Sequence, residues 1–559
     1  MAHVTTRLIV TAALVAAAAC TPAPPKPLTL AEMPAIDTAR VLADTKTLSA
    51  DDFEGREPGS KGETKTVEFL TKQFQAAGAE PGNPDGSWTQ KVPLVGLEPE
   101  KQTPLVAKKG AQTLSFKPHD DVVAFSQRVT DAIDLKNSEI VFAGYGVQAP
   151  EYQWDDFKGL DVKGKTLIVL VSDPPVPAPN DPASLDPKTF GGKAMTYYGR
   201  WTYKYEKAAE LGAAAVFIVH ETGPAGYPFN VVQGFGGERF DLVTPDKNMG
   251  RAAIQGWLSL DAATKLLKAA GQDYQKLKAQ ALTRDFKPVA LGMTASMSFT
   301  QKMRTIDSTN VVAKITGSDA TLKNEFVVYT AHWDHLGIGD PVNGDKIYNG
   351  ARDNASGTAM LIEFARAFKA VKPAPKRTIL FLSVTAEEQG LLGSAYYAKF
   401  PLYPLARTLA EINMDEINVW GRTKDVTIIG LGASDLDTYT REAAAEQGRT
   451  LTPDAEPEKG FYYRSDHFNF AKAGVPALNP DSGTEFLGKP ATYGAEKRDE
   501  WTEKDYHQPS DQVKDWWDLA GAAEDGKLLF AVGYRVANAD KYPEWAPTSE
   551  FKAIRDKMR

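Results

Sequence analysis

Two apolar stretches near the middle of the chain decide its fold: residues 325–332 (EFVVYTAH) and residues 377–388 (RTILFLSVTAEE). Each is a near-continuous run of β-branched, aliphatic and aromatic residues, which is typical of a strand buried on both faces. An apolar segment of helical character lies between them, at residues 355–370 (ASGTAMLIEFARAFKA). Strand, helix and strand in this order predict two parallel strands joined by a helix that covers the sheet.

The same alternation extends over the last 250 residues or so of the chain. The fold class that it predicts is α/β, with a mixed, largely parallel sheet flanked by helices. Further strands are predicted at 310–317, 409–415 and 425–432, and further helices at 391–400, 435–448 and 518–539. Ligands of such sheets bind at the carboxyl ends of the strands.

The composition excludes several functional classes. The chain has 559 residues and a formal net charge of −8, so it offers no basic surface to nucleic acid. Its single cysteine, Cys20, rules out an internal disulfide and any cysteine-based zinc or iron–sulfur site.

The N-terminus predicts export from the cytoplasm. Residues 1–19 have a basic start, a short apolar run and small residues, as a signal peptide does, and residues 20–35 form a Pro-rich tether. Small residues precede Cys20, and this resembles the signal of bacterial lipoproteins, in which such a cysteine is acylated. This predicts a lipid anchor on the periplasmic face of a bacterial membrane, with plain cleavage and secretion as the alternative.

The rest of the chain divides into a main domain and an insertion. Residues 36–110, with two predicted helices, form the N-terminal part of the main domain, and residues 305–559 form its catalytic part. Residues 111–304 differ, because short strands and single helices alternate there with long Gly- and Pro-rich loops. One turn in this insertion, residues 159–166 (GLDVKGKT), matches the phosphate-loop pattern, but it precedes a predicted strand and opens no helix. It is interpreted as a simple turn.

Acidic and histidine side chains gather at the predicted strand ends of the catalytic part. Adjacent glutamates at the end of a buried strand can divide two tasks, one binding a metal and the other facing a water on it. Two histidines and three carboxylates are a ligand set suited to a pair of zinc ions. The segments concerned are HWDHLG from His332, ARDNASG with Asp353, TAEEQGLLGS with Glu387 and Glu388, NMDEI with Asp415, and YHQPSD with His507.

Together these motifs resemble, in order, the di-zinc exopeptidases related to bacterial secreted leucyl aminopeptidase and glutamate carboxypeptidase II. The segment RSDHFNFAKAGVP (464–476) and the N-terminal segment LSADDFEGREPGSKGE (48–63) add to the resemblance. It implies a phosphorylase/hydrolase-like zinc peptidase core, with residues 111–304 as an inserted protease-associated domain.

The resemblance also implies roles for individual residues and two zinc ions as cofactors. Glu387 would be the general base, and Tyr462 would support the oxyanion, with Tyr463 as the alternative. Asp334 would orient His332 from outside the metal shell. His335 and His467 are interpreted as structural. The implied zinc ligands are His332, Asp353 as the bridge, Glu388, Asp415 and His507.

The expected activity is that of an aminopeptidase acting on peptides through a metal-bridged water. A carboxypeptidase or dipeptidase of the same fold is the first alternative. Glu416 could hold the free ammonium of an aminopeptidase substrate, whereas Arg352 or Arg464 could hold the terminal carboxylate of a carboxypeptidase substrate, and all three lie near the motifs. A non-catalytic binding lipoprotein and a single-zinc aminoacyl cyclase are the remaining alternatives. Neither nucleic-acid binding nor a particular oligomeric state is predicted.

Overall fold

The computed structural model describes residues 28–233 and 237–559. The predicted signal peptide and Cys20 lie outside these residues. Within the described ranges, no helix combines the length and the apolar character that crossing a membrane requires. The α-helices found there are α1 (Thr38–Leu48), α2 (Lys61–Ala76), α3 (Trp201–Glu210), α4 (Thr222–Ala225), α5 (Phe229–Gln233), α6 (Leu260–Ala270), α7 (Tyr274–Gln280), α8 (Gly357–Ala370), α9 (Leu392–Lys399), α10 (Leu436–Glu446), α11 (His467–Lys472), α12 (Tyr493–Lys504), α13 (Ala520–Asn538) and α14 (Lys552–Met558).

The strands are of very unequal length, from two residues to 27. They are β1 (Glu80–Pro81), β2 (Thr89–Glu100), β3 (Leu105–Lys109), β4 (Gln112–Phe116), β5 (Val122–Phe125), β6 (Ala132–Phe142), β7 (Gln148–Ala149), β8 (Trp154–Asp155), β9 (Thr166–Leu170), β10 (Pro177–Ala178), β11 (Asp181–Leu185), β12 (Ala215–Val219), β13 (Arg239–Leu242), β14 (Ile254–Leu258), β15 (Val289–Ile315), β16 (Phe326–His332), β17 (Gly337–Val342), β18 (Asp345–Tyr348), β19 (Thr378–Val384), β20 (Thr408–Asn413), β21 (Asp425–Ile429), β22 (Thr450–Pro453) and β23 (Ala477–Asp481).

The predicted α/β fold class is confirmed in the catalytic part of the chain. Strand β16 lies between β19 and β20 and is parallel to both, and β23 extends this parallel set beyond β20. At the margins, β15 runs antiparallel to β19 and β21 runs antiparallel to β23, so the sheet is mixed. Every residue of β16 and β19 is buried, as their continuous apolar sequences predict.

Helices cover this sheet and close its core. One hydrophobic cluster joins α1, α8, α10 and α13 to the inward-facing side chains of β16 and β19. A smaller cluster joins α9 and α11 to residues of β16 and β19 that face the other way. The sheet is therefore buried between helices on both faces, and its carboxyl-terminal edge is where side chains can reach solvent and ligands.

The middle of the chain has a sheet and a core of its own. Strands β6, β9, β12 and β14 are mutually parallel, and β5 closes one side antiparallel to β14. Their apolar side chains form two clusters that lack residues of the catalytic part. Strand β15 joins both regions, since it pairs with β6 at its start and with β19 at its end. The boundaries 111–304 stay a prediction.

The segment that matches the phosphate-loop pattern is a turn. Its last residue, Thr166, begins strand β9, which is buried throughout, and the residues after β9 form bends rather than a helix. No helix N-terminus is therefore available at this segment to hold a phosphate group.

Candidate metal centre

The carboxyl ends of the parallel strands bring the predicted ligands together. His332 is the last residue of β16, Glu387 and Glu388 follow β19, and Asp415 follows β20. Because β16 lies between β19 and β20, the loops after all three strands meet at one edge of the sheet. Asp353 reaches the same edge from the irregular turn Ala351–Ser356, whose backbone is non-helical at this residue.

Asp353 stands at the centre of the cluster and faces two histidines. Its Oδ1 lies 3.3 Å from Nε2 of His332, and its Oδ2 lies 3.3 Å from Nε2 of His507. On the first side, Oδ1 of Asp415 lies 3.2 Å from the same nitrogen of His332. On the second side, Oε2 of Glu388 lies 3.0 Å from the same nitrogen of His507. The five predicted ligands thus form two groups that share one carboxylate.

This donor set fits cations of the zinc type. Ligand atoms of His332, Asp353 and Asp415 all lie within 4.8 Å of one another, and so do those of His335, Asp353 and Glu388. Imidazole nitrogens and carboxylate oxygens are donors that zinc accepts. His332 and Asp353 are enclosed, while Asp415 and His507 keep about a quarter and a third of their side chains exposed. The cluster is therefore open to solvent at one residue of each group.

The carboxylates control the protonation of the cluster. Burial alone would lower the pKa of His332, but the charges of Glu387 and Asp415 outweigh it and raise this pKa well above its usual range. Burial opposes ionisation of Asp353 too, yet hydrogen bonds from His332 and His507 hold its pKa well below the usual range. The cluster therefore stabilises positive charge at its centre, as a cation site must.

Glu387 differs from its neighbour Glu388 in its environment. Burial, reinforced by the charges of Asp415 and Glu388, raises the pKa of Glu387 well above its usual range. Burial also acts on Glu388, but the charges of His507 and His335 outweigh it and lower that pKa to about 2. The two adjacent carboxyl groups are thus suited to different tasks, one exchanging protons and one remaining an anion.

The structure gives Asp334 a different set of contacts from the predicted one. His332 bonds through Nδ1 to the backbone carbonyl of Asp334 at 3.1 Å, while the nearest carboxylate oxygen is 3.8 Å away. The carboxylate instead accepts the backbone amides of Glu387 and Glu388, at 3.0 and 3.3 Å. The backbone carbonyl of Asp334 therefore orients the imidazole of His332. The buried carboxylate of Asp334 fixes the turn that carries both glutamates, because each of its oxygens accepts one backbone amide of that turn.

Tyr462 does not contact the cluster. Its ring packs against His467 and Phe551, and its hydroxyl is buried without a hydrogen-bond partner among the described residues. The hydroxyl of Tyr463 donates to Glu550 at 3.0 Å. The oxyanion role assigned to Tyr462 stays a prediction that these contacts do not favour.

A different tyrosine, Tyr506, lies beside the ligands. Its ring stacks on that of His507 with centroids 3.9 Å apart. Burial and the charge of Asp353 are the first causes that raise its pKa well above the usual range, and Glu388 and Glu387 add to them. The sequence contains a signal for this residue, because Tyr506 directly precedes the predicted ligand His507 and must lie close to the site.

Other side chains that the sequence left without a catalytic role hold the ligands in place. His335 bonds through Nδ1 to Oε1 of Glu388 at 2.6 Å, so it contacts a predicted ligand directly. Ser465 donates its hydroxyl to Oδ2 of Asp415 at 2.6 Å. Asp511 accepts the backbone amides of Arg352 and Asp353. His467, by contrast, is fully buried and packs its ring against that of Tyr462.

One part of the chain matches a known protein family. Residues 310–531 match the model named Peptidase family M28. All six motifs quoted above from the last half of the chain lie within this range, so the family resemblance inferred from them is confirmed there.

Individual relatives are more distant. Aminopeptidase YwaD of Bacillus subtilis (strain 168) is 29% identical over 231 residues, which are 40% of this chain and 44% of the relative. A probable zinc metalloprotease of Pyrenophora teres f. teres is 44% identical over 90 residues, or 16% of this chain and 18% of the relative. The chain thus spans less than half the length of these relatives. A solved aminopeptidase from Aneurinibacillus sp. strain AM-1 aligns with a TM-score of 0.49 and 19% identity, over 89% of this chain and 94% of its own.

Proposed function

We propose that this chain, whose residues 310–531 match peptidase family M28, is a zinc-dependent exopeptidase that removes N-terminal residues from peptides. One observation carries the proposal. The two oxygens of Asp353 face two different imidazoles, each accompanied by a second carboxylate, and Glu387 lies beside them, 4.0 Å from His332. This arrangement supports two metal positions with a proton acceptor at their edge.

The site would hold two zinc ions. His332 and Asp415 would bind one ion, Glu388 and His507 the other, and Asp353 would bridge them. When bound, such a pair lowers the pKa of water and polarises the carbonyl of the scissile bond. The exposure of Asp415 and His507 leaves both metal positions open to solvent, and the peptide end would enter there.

Glu387 would transfer the proton that hydrolysis requires. A general base must receive a proton from the attacking water and then deliver it to the leaving amine. Glu387 is placed for this task, because its Oε2 lies 4.0 Å from Nε2 of the predicted ligand His332. The amide of Glu387 donates to Asp334, which fixes the base relative to the metal ligands.

The pairing of two charged residues argues against one candidate for binding a substrate carboxylate. The guanidinium of Arg352 bonds Glu416 at 2.7 Å and lies between the rings of Trp420 and Trp501. Arg352 is therefore engaged and enclosed, and it is poorly placed to receive a substrate carboxylate. Arg464, which is exposed, is the remaining cation through which a carboxypeptidase could act.

The inserted domain would border the entrance to the site. Its residue Met195 donates a backbone hydrogen bond to Pro457 at 3.0 Å, and Glu206 pairs with Lys472 at 2.8 Å. In sequence, Pro457 and Lys472 flank Ser465, which bonds the predicted ligand Asp415. The insertion would thus restrict access to short or unfolded chain ends.

The proposal is tested by hydrolysis of a panel of aminoacyl chromogenic amides. We expect activity that a chelator abolishes and zinc restores, with two ions per chain. Glu387→Gln should reduce kcat by at least a hundredfold while the protein retains its zinc. Glu363→Gln is the matched control, because Glu363 is a buried glutamate that bonds Arg40 away from the cluster.

The outcomes separate the alternatives. Cleavage only of N-blocked peptides with a free C-terminus would replace the aminopeptidase by a carboxypeptidase. Cyclisation of aminoacyl substrates with one zinc per chain would indicate a cyclase. A protein that holds two zinc ions and cleaves neither class of peptide would be a binding protein, and the enzyme proposal would then be wrong.

A further inference from the structure

Arg56, in the N-terminal motif DDFEGREPGS, is a fully buried arginine behind the metal centre. Its guanidinium donates only to backbone carbonyls. Nε donates to Trp333 at 2.8 Å, Nη1 to Leu48 at 2.8 Å and to Asn349 at 2.7 Å, and Nη2 to Gly350 at 2.7 Å. One planar group therefore joins three segments that are up to about 300 residues apart in sequence.

Two of these segments carry predicted metal ligands. Trp333 directly follows His332, and Gly350 lies three residues before Asp353. Arg56 also accepts, through its own carbonyl, the backbone amide of His335 at 3.4 Å. The side chain of His335 in turn bonds Glu388 at 2.6 Å. Arg56 thus bonds the segment after His332 twice, through its side chain at Trp333 and through its carbonyl at His335. Through the side chain of His335 it is also linked to Glu388, a third predicted ligand.

The backbone that presents Arg56 is held in an unfavourable conformation. Glu54 and Arg56 have φ values of 49° and 53°, a left-handed region that side chains with a Cβ rarely adopt. Gly55 between them has φ 65°, and a Cβ there would lie 2.5 Å from the carbonyl oxygens of Gly337 and Tyr348. Such strain persists where the surroundings impose it, and it concentrates at functional sites.

The charge of Arg56 is also placed for the metal centre. No carboxylate of the described residues forms an ion pair with it, and the acids that act on it are, in order, Asp511, Asp334, Asp353 and Glu388. Burial lowers its pKa, but only to about 10, so the group stays charged at neutral pH. It thus supplies a positive charge close to a group of acids that includes two predicted ligands.

We propose that Arg56 is a positioning residue that sets the spacing of His332 and Asp353 and thereby the zinc affinity of the site. This inference rests on the proposed function for the identity of the metal, but it concerns binding and not peptide cleavage. Lysine cannot replace arginine here, because a single ammonium does not offer a planar fork to four carbonyls.

The test compares Arg56→Lys with Arg555→Lys. Arg555 is almost as buried and donates to the backbone carbonyls of Leu405 and Thr408, which lie just before and at the start of β20, the opposite end of that strand from Asp415. Zinc dissociation constants are measured by competition with a chromophoric chelator, and thermal midpoints are measured on the metal-free proteins. We expect the zinc dissociation constant to rise 10- to 100-fold in R56K, which is the range for groups that orient ligands, and to change less than twofold in R555K.

Cobalt substitution gives a second readout. The visible absorption of the cobalt-loaded protein reports ligand geometry, and we expect its maxima to shift in R56K alone. If R56K does not fold, Gly55→Ala tests the same contact, because its Cβ would displace the segment. Wild-type zinc affinity in a folded R56K or G55A protein, or an equal loss in R555K, would overturn the inference. If the wild type binds zinc without cleaving peptides, the proposed function fails while this comparison remains decisive.

Discussion

Asp334 offers the sharpest test of how the turn after β19 is held. It is 0% exposed, and each of its carboxylate oxygens accepts one backbone amide, from Glu387 and from Glu388. Asp334→Asn keeps the volume but replaces one oxygen by an NH2 group. One of the two amides then faces another donor, because an asparagine cannot present two acceptors in opposite directions.

The expected effects follow from these contacts. A buried donor without an acceptor costs about 1–3 kcal/mol of unfolding free energy. Loss of a group that orients metal ligands typically reduces metal affinity by about 10- to 100-fold, which corresponds to about 1.4–2.7 kcal/mol. Asp334→Asn should show both losses, and kcat should fall as well because the base moves with its amide.

Asp425 provides a matched control at a distance from the metal centre. It is 1% exposed and accepts the backbone amides of Thr484 and Glu485, at 3.0 and 2.9 Å, one on each oxygen. Asp425→Asn should therefore lose a similar amount of stability and retain its zinc affinity. Unfolding is followed in denaturant with chelator present, and zinc affinity by competition. Unchanged zinc affinity in D334N, or an equal decrease in D425N, would refute the reasoning.

Three further predictions concern pH, the tyrosines and the anchor. Burial raises the pKa of Glu63 from its usual 4.5 to about 7, so the native state binds a proton that the unfolded chain has already released. Stability should fall between pH 4.5 and 7 by up to about 3 kcal/mol, at about 1.4 kcal/mol per unit, and Glu63→Gln should lack this slope in pH-dependent unfolding. Tyr506, whose ring stacks on that of His507, is expected to support the oxyanion in place of Tyr462. Tyr506→Phe should therefore lower kcat at least tenfold with zinc affinity retained, whereas Tyr462→Phe should not, and the reverse result would favour Tyr462. Cys20→Ser should release active enzyme from the membrane fraction, and a wild type that is already free after export would contradict the anchor.

The sequence predicted the catalytic fold well because its buried strands are apolar throughout. Strands β16 and β19 and helix α8 lie where continuous apolar runs and helical spacing placed them. Only the end of strand β15 is predicted from the sequence, as a strand at 310–317. Its first half alternates apolar and polar residues over 291–300 (LGMTASMSFT), a clear period of two that was present in the sequence. Helix α12 was missed because it is polar on nearly all sides and buries a single residue, Gly494.

The ligands could be named from motifs, but their grouping could not. Which carboxylate accompanies which histidine depends on β16 lying between β19 and β20, a pairing that only the folded sheet defines. The same limit applies to Asp334, whose backbone carbonyl rather than its carboxylate meets the imidazole. A motif specifies a side chain, whereas this contact depends on the path of the main chain.

The contacts of Arg56 could not be predicted from the sequence, and they connect the N-terminal segment to the segments that carry the metal ligands. A buried guanidinium without a carboxylate partner is costly, since its charge must be satisfied by neutral carbonyls alone. That cost is tolerable where several buried carboxylates stand nearby, and the charges of Asp511, Asp334, Asp353 and Glu388 all act on this guanidinium. The anionic cluster and the distant arginine are therefore mutually dependent. The carboxylates offset the burial of the guanidinium, and the guanidinium holds the loops that bring the carboxylates together.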